Sequence, residues 1–342
     1  MKNSIPWIEK YRPAQIEDII LDENVSNQIK IFLDDRQDVH LIITGLPGIG
    51  KTSTVRCIAK KILGPHVSDG YLELNAAEDR GVRSISTIIP PFCKKVVNFS
   101  SSKIILLDEA DNMTTKCQHD INDMIKSYGK KTKFIFTCND STKIIEDIQS
   151  VCRIVRFKKL TDKQIKTYLE KICSTEGVKY DAAGLSTICY ISNGDMRKAI
   201  NDLQKTAYTF DKITKETVLK ICKVPDPEDI KKIIQLCEEK KLTEADAEME
   251  SIIRQGYYYL DIVSGFVYVL AKYDMQEDLK LSLIDIVNQT KISVSIGLRT
   301  KLQLAGMICR LIKRIDEYIS VNPSGGRKVT LTRRSSKKLI EV

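Results

Sequence analysis

Residues 45 to 52 read Gly45-Leu46-Pro47-Gly48-Ile49-Gly50-Lys51-Thr52, and no other stretch of the chain restricts its fold as much. Glycines at these spacings let successive backbone N–H groups turn toward one anion. A lysine and a hydroxyl at the end of such a loop reach phosphate oxygens and a Mg²⁺ ion. An apolar run of strand length, Val39 to Thr44, precedes the loop. Ser53 to Leu63 follows, with Val55, Ile58, Ala59 and Ile62 at helical spacing. Strand, glycine loop and helix together place a triphosphate on a helix N-terminus. Gly45 through Ser53 are therefore candidate phosphate-binding residues, with Lys51 at the β/γ-phosphates and Thr52 on Mg²⁺.

A second half of such a site lies some way downstream. Lys103-Ile104-Ile105-Leu106-Leu107 is a continuous apolar run that ends in Asp108-Glu109. A run apolar on both faces suits a central strand of a parallel sheet. Asp108 is the candidate metal residue, acting through water, and Glu109 the candidate base that orients and deprotonates an attacking water. One protein carboxylate suffices for Mg²⁺, because the phosphates supply further ligands.

Short apolar runs at 39–44, 71–75, 103–108, 133–138 and 153–157 alternate with helical patterns. That alternation predicts an α/β domain, a parallel sheet with helices on both faces, over about 1–160. From 161 onward no further strand is expected. Thr161-Asp162 opens a helix, and another starts at Asp195. Pro225-Asp226-Pro227 breaks the chain at a domain boundary and starts a new helix, with 228–318 helical throughout. Leu298, Leu302, Ala305, Cys309, Ile312 and Ile315 make an apolar stripe there. It reads equally as a core face or as a face packed on sister subunits.

The net charge of +9 is uneven. Residues 326–342 hold six bases and one acid, a tail of +5 that leaves +4 on the rest. The tail, 321–342, is expected to be disordered. The body is too mildly basic to argue for nucleic acid by itself. Ten cysteines are scattered without a C-x-x-C pair. They read as buried, reduced thiols of an intracellular protein, including Cys57, Cys138, Cys152 and Cys309. Cys117 with His119 offers too few ligands for zinc. No run reaches membrane-spanning length, so no membrane partner is expected.

Several boxes resemble one family, the replication factor C group of AAA+ clamp-loader ATPases. Pro6-Trp7-Ile8-Glu9-Lys10-Tyr11-Arg12-Pro13 is similar to its N-terminal P-W-x-E-K-Y-R-P box, and Asp18-Ile19-Ile20 to a segment near the adenine. Glu73 to Gly81 resembles E-L-N-A-S-x-D-R-G, and Asp108 to Thr114 resembles D-E-A-D-x-M-T. Cys138-Asn139 resembles sensor 1, and Gly194 to Asn201 resembles the G-D-M-R-x-A-x-N of sensor 2. Gly256-Tyr257-Tyr258-Tyr259-Leu260-Asp261-Ile262 is similar to a stretch in the small subunit placed beside the large one in the eukaryotic pentamer. The resemblance implies a RecA-like AAA+ ATPase domain over 1–160, an α-helical lid over 161–224 and an α-helical collar domain over 225–320, with ATP and Mg²⁺ as cofactors and Tyr11, Arg12 and Ile19 at the nucleotide. Asn139 would orient water and Arg197 would read the γ-phosphate. It also implies a pentameric ring of related subunits, a PCNA-like sliding clamp and primer–template DNA as partners. The compartment would be the nucleus in a eukaryote, or a viral replication compartment for a large DNA virus.

The chain departs from that pattern at surfaces meant for others. The family carries Ser-Arg-Cys, whose arginine enters the neighbour's ATP site. This chain reads Ser150-Val151-Cys152, and Arg153 could stand in only if its strand slipped. Ser86 stands where a DNA-facing arginine is usual, with Arg83 one turn earlier, and Pro90-Pro91 is expected to end that helix early. Asp120-Ile121-Asn122-Asp123 replaces an A-L-R-R helix. Arg80, Arg83, Lys116 and Lys126 remain candidate DNA contacts. Two further readings are a nucleotide-binding scaffold subunit with little hydrolysis, and a different AAA+ DNA motor such as a branch-migration helicase with a C-terminal winged helix.

Overall fold

The computed structural model describes residues 5–34, 39–76, 82–95 and 102–321. The chain divides into two compact units, Met1–Val218 and Leu219–Val342. In the first unit a short helix α1 (Trp7–Lys10) and α2 (Glu23–Asp34) precede β1 (His40–Thr44). The glycine loop leads into α3 (Lys51–Leu63), then α4 (Val67–Gly70), β2 (Tyr71–Asn75) and α5 (Val82–Lys94). After these come β3 (Lys103–Asp108), α6 (Thr115–Tyr128), β4 (Thr132–Cys138), α7 (Glu146–Val151) and β5 (Cys152–Arg156). All five strands lie within a residue of the spans their apolar runs predict.

The strands pair in parallel in the order β2-β3-β4-β1-β5. Alternation decides the two faces. Ile42, Ile105, Leu107, Phe134 and Phe136 pack with Ile89 of α5, Ile121 and Ile125 of α6 and Ile148 of α7. The residues between them, Leu41, Ile43, Ile104, Leu106 and Ile135, are equally buried, and α3 lies against β3 and β4. In a parallel sheet every C-terminal strand end emerges at one edge, and Asp108, Glu109 and Asn139 emerge there with the glycine loop that follows β1. A crevice at that edge is where open α/β sheets bind ligands.

Two expectations fail in this unit. Pro90 and Pro91 lie inside α5, which runs on to Lys94. Each proline removes one backbone donor, but Ile89 is fully buried and the last turn has a substitute cap. The ammonium of Lys103, only 5% exposed, donates to the carbonyls of Phe92 at 2.6 Å, Cys93 at 3.1 Å and Lys95. Burial holds its pKa below the usual lysine value. Strands also do not stop at 161. A two-residue parallel pair joins β6 (Lys179–Tyr180) to β7 (Lys212–Ile213), too short to leave a periodicity in sequence.

The remaining helices of this unit follow their capping residues. Thr161 opens α8 (Asp162–Glu176) in a reciprocal capping box with Gln164. Asp181 caps α9 (Ala182–Ser192), and Asp195 caps α10 (Met196–Thr209) through the Lys198 N–H at 3.0 Å. Helix α11 (Lys215–Cys222) follows.

In the second unit Asp226 caps α12 (Pro227–Glu238), with Pro227 at its first turn. Helices α13 (Leu242–Arg254), α14 (Tyr259–Lys272), α15 (Glu277–Ser295) and α16 (Lys301–Val321) complete it. Ile230, Ile233, Phe266, Leu270, Leu283 and Leu311 are among its core. Gly265 lets α14 approach α12, since a Cβ there would lie 2.5 Å from Ile230 Cδ1. The core face of α16 is Leu304, Met307, Ile308, Leu311 and Ile315. The stripe read from sequence is mostly the adjoining face: Leu302 is 77% exposed, and Leu298 and Cys309 are exposed as well. Cys309 thus departs from the buried thiols expected; Cys57 and Cys138 keep to them, and Cys152 is half-buried with its thiol pushed up to about 12 by desolvation.

Replacing Lys103 by methionine keeps the stem and strands three carbonyls. We expect a loss of about 2–3 kcal/mol, measured by urea unfolding of the full chain. A change below 0.5 kcal/mol would show that the cap is dispensable.

Candidate nucleotide-binding site

Positive backbone angles shape the loop. Gly48 and Gly50 sit at φ +71° and +95°, where a side chain would be strained, and Gly50 is the N-cap of α3. At Gly48 an added Cβ would also overlap the Asp195 carboxylate. The start of α10 is thus packed on the loop, and the Met196 N–H donates to Gly48 O at 3.0 Å.

The loop forms one wall of a cleft of about 250 Å³ in the first unit. Its lining includes Pro47 to Ser53, Asp108, Glu109, Thr137, Asn139, Arg197, Tyr11, Arg12 and Ile19. Sequence-distant candidates are therefore brought to one place. Gly45 and Leu46 join it through Lys51, whose ammonium donates to Gly45 O at 2.6 Å, Leu46 O at 2.8 Å and Asn139 Oδ1 at 2.9 Å. Desolvation is the first cause that lowers the Lys51 pKa, against the pull of Asp108 and Asp111.

Opposite the lysine, Thr52 Oγ1 donates to both Asp108 oxygens, at 3.1 and 3.0 Å. Thr137 Oγ1 also donates to Asp108 Oδ1 and accepts from the Glu109 N–H at 3.3 Å. Glu109 is held at φ +55°, unusual for a non-glycine residue, and its Oε2 accepts from Asn112 Nδ2 at 3.2 Å. Asn139 is fixed from two sides: its N–H donates to Asp111 Oδ2 at 3.3 Å, and its carbonyl accepts from Thr44 Oγ1 at 3.2 Å. The hard oxygen set of Thr52 and Asp108, with the Thr137 hydroxyl behind it, fits Mg²⁺ rather than a softer metal.

Three family models match in sequence order. The AAA family (ATPases associated with various cellular activities) matches residues 41–160, an RCF1/5-like AAA+ ATPase lid domain 167–208, and the replication factor C C-terminal domain 225–310. A protein named as a replication factor C small subunit of Acanthamoeba polyphaga mimivirus is 72% identical, over 92% of this chain and 99% of its own length. Replication factor C subunit 4 of Schizosaccharomyces pombe is 37% identical, over 90% and 91%. The chain belongs to the replication factor C small-subunit family. It is a clamp-loader subunit of the AAA ATPase class, and it binds nucleotide. In fold it is similar to the Thermotoga maritima RuvB Holliday junction branch migration motor, with a TM-score of 0.52 over 70% of this chain and 85% of that one, at 18% identity.

Among the described candidates for contact outside the cleft, Lys116 and Lys126 do not line it. Arg80 and the rest of 77–81 lie outside the described residues, as does the basic tail from 322. Arg83 lies in the first turn of α5. Lys116 is exposed on α6, and Lys126 is 3.5 Å from Asp123 Oδ1. Asn122, one of the replaced replication factor C arginine positions, is buried at 3% exposure. Val151 ends α7 and is 42% exposed. Arg153 is locked in register against Leu41, so β5 has not slipped. Among the described residues no helix is long and apolar enough to cross a membrane.

Sequence reasoning missed Thr137, Asp111 and Asp195 as parts of the site. Thr137 sits one residue before the Cys138-Asn139 box in a strand that reads as apolar. A hydroxyl in a wholly buried strand is the signal that marks it.

Two outcomes are expected. Gly48→Ala should abolish measurable nucleotide binding in a fluorescence titration while the chain keeps its helical circular dichroism. Binding should also fall with rising pH before the ordinary lysine value of 10.5 is reached. The sign follows from charge: phosphate needs the ammonium, and burial lets the proton leave at lower pH. Affinity flat up to pH 10.5 would contradict it.

Proposed function

We propose that the chain binds ATP with Mg²⁺ in this cleft and hydrolyses it within a hetero-oligomeric ring that opens a PCNA-like clamp and sets it on primer–template DNA. The observation that carries this reading is the convergence of the phosphate loop, Asp108, Glu109, Asn139 and Arg197 on one cleft. Lys51 would exchange its carbonyl and amide partners for β/γ-phosphate oxygens. Thr52 and Asp108 would hold the Mg²⁺, which neutralises developing phosphate charge when bound. Glu109 would take the proton of the attacking water, and Asn139 would orient that water. Catalysis of this kind is positioning plus charge stabilisation.

Arg197 belongs to the helix whose first residue bonds the loop at Gly48. Loss of the γ-phosphate would remove one contact between that helix and the sheet and let them reorient. We assign 1–160 to the ATPase domain, 161–224 to the lid, 225–320 to the collar and 321–342 to a basic tail. The exposed Leu298 and Leu302 support a collar that packs on sister subunits. Arg80, Arg83, Lys116 and Lys126 remain the DNA-contact candidates, with Lys126 partly neutralised by Asp123. The mimivirus source of one relative supports work in a viral replication compartment.

Val151 gives a neighbouring site no cation, while such a finger is worth on the order of 10³–10⁵ in rate. The chain should therefore hydrolyse its own ATP and not promote its neighbour's, which supports a ring of unlike subunits beside a large one. The intact Lys51, Thr52, Asp108, Glu109, Asn139 and Arg197 oppose a purely structural nucleotide, and a second unit that is all-helical among its described residues opposes a motor with a winged helix.

Steady-state ATPase should be low for the chain alone and rise with partner subunits, clamp and primed DNA together. In that assembly Glu109→Gln should slow this subunit's site by about 10²-fold or more, whereas Val151→Ala should leave turnover unchanged. High activity of the chain alone would overturn the reading of Val151.

A further inference from the structure

We propose that Glu176, the last residue of α8, is a positioning residue for the base end of the nucleotide cleft, acting through Tyr11. The inference rests on the nucleotide reading above and adds a residue to it.

Helix α1 has four residues and no side-chain cap. A helix that short has no stability of its own, so tertiary contacts must place it. Its long-range hydrogen bonds and ring contacts reach α8 and α10. The Trp7 N–H donates to Gln204 Oε1 at 3.0 Å, and the Trp7 ring meets Tyr208 edge-on at 5.7 Å. The Tyr168 hydroxyl donates to Tyr11 O at 2.6 Å. Glu176 Oε1 accepts twice, from the Tyr11 hydroxyl and from Lys10 Nζ, each at 2.6 Å. Immediately beyond, Tyr11, Arg12 and Pro13 line the cleft.

The local sequence alone does not favour Glu176 where it stands. A carboxylate in the last turn of a helix opposes the helix dipole. A residue that breaks a local rule while holding two long-range partners marks a site with a task. Charge agrees with geometry: the hydrogen bonds of Lys10 and Tyr11 hold the Glu176 carboxyl below its usual range, and burial with the Glu176 contact raises the Tyr11 phenol.

The Tyr11 part of the cleft wall is thus mounted on α8, whereas Pro13 O accepts from Cys57 Sγ of α3 at 3.4 Å and the phosphate loop follows β1 of the sheet. Displacing α8 would withdraw the Tyr11 part of the wall, so occupancy of the base end and the position of α8 are linked reciprocally. The base end is common to ATP and ADP. Weakening the clasp must therefore weaken both alike, in contrast to Arg197, which is assigned to the γ-phosphate.

The test titrates the purified full chain with N-methylanthraniloyl-ATP and -ADP. Glu176→Ala should raise both Kd values by about tenfold, and Tyr11→Phe in that background should add nothing further. Glu176→Gln, which keeps an acceptor for Tyr11, should recover part of the loss. Tyr168→Phe, which deletes one hydroxyl, should raise both Kd values about threefold. In the assembled loader KM for ATP should rise while kcat holds. Wild-type Kd values in Glu176→Ala, loss of ATP affinity alone, or additive Glu176→Ala and Tyr11→Phe effects would each overturn the proposal. A wild-type chain that binds neither nucleotide, or a Lys51→Ala variant that binds as wild type does, would instead overturn the nucleotide site on which it rests.

Discussion

The Met196 N–H to Gly48 O contact is the joint on which the cleft depends. It fastens the first turn of α10 to the backbone of the phosphate loop. Gly48 is forced by two independent demands: a left-handed φ, and the Asp195 carboxylate where a Cβ would go. Asp195 in turn caps α10, so the residue that starts the helix is also the one that fits it to the loop. Arg197 lies one residue beyond Met196, and its position in the cleft follows from that joint.

Around the joint the polar groups form a connected set. Lys51 bridges the loop to Asn139, Asn139 rests on Asp111, and Thr52 and Thr137 share the Asp108 carboxylate. Asp108 and Thr137 lie in the neighbouring strands β3 and β4, Asn139 directly follows β4, Asp111 sits in the turn past β3, and Lys51 and Thr52 open α3 beyond the glycine loop. Side chains on rigid elements, each held by a second group, keep a catalytic geometry at no further cost in ordering.

Much of this was legible in the chain. The strands were written as continuous apolar runs because a parallel sheet is covered on both faces, and that pattern survives without tertiary information. The loop and the carboxylates were legible because each needs particular residue types at fixed spacing. What stayed hidden has a common cause: it depends on partners far apart in sequence. Lys103 reads as an ordinary strand-opening lysine until α5 brings its carbonyls to it, and so the helix was expected to end at Pro90-Pro91. The apolar stripe at 298–315 stayed open between a core face and a subunit-facing one for a related reason. Leu298, Leu302, Leu304 and Leu311 are equally apolar, and only packing against α12, α13 and α15 decides which of them are covered.

The distribution of departures from the family carries its own argument. Inside the cleft the residue types that chemistry requires are all in place. Two of the changes fall on exposed positions, a valine at the end of α7 and an aspartate on α6 that lies beside Lys126, while Asn122 is buried. A ring of identical copies would place Val151 at every junction, and no site would receive a cation from its neighbour. A ring of unlike subunits escapes this, since another member can supply the arginine to the site described here while Val151 faces a junction that does not need one. A complete interior beside an altered contact surface is thus the pattern that division of labour between subunits produces.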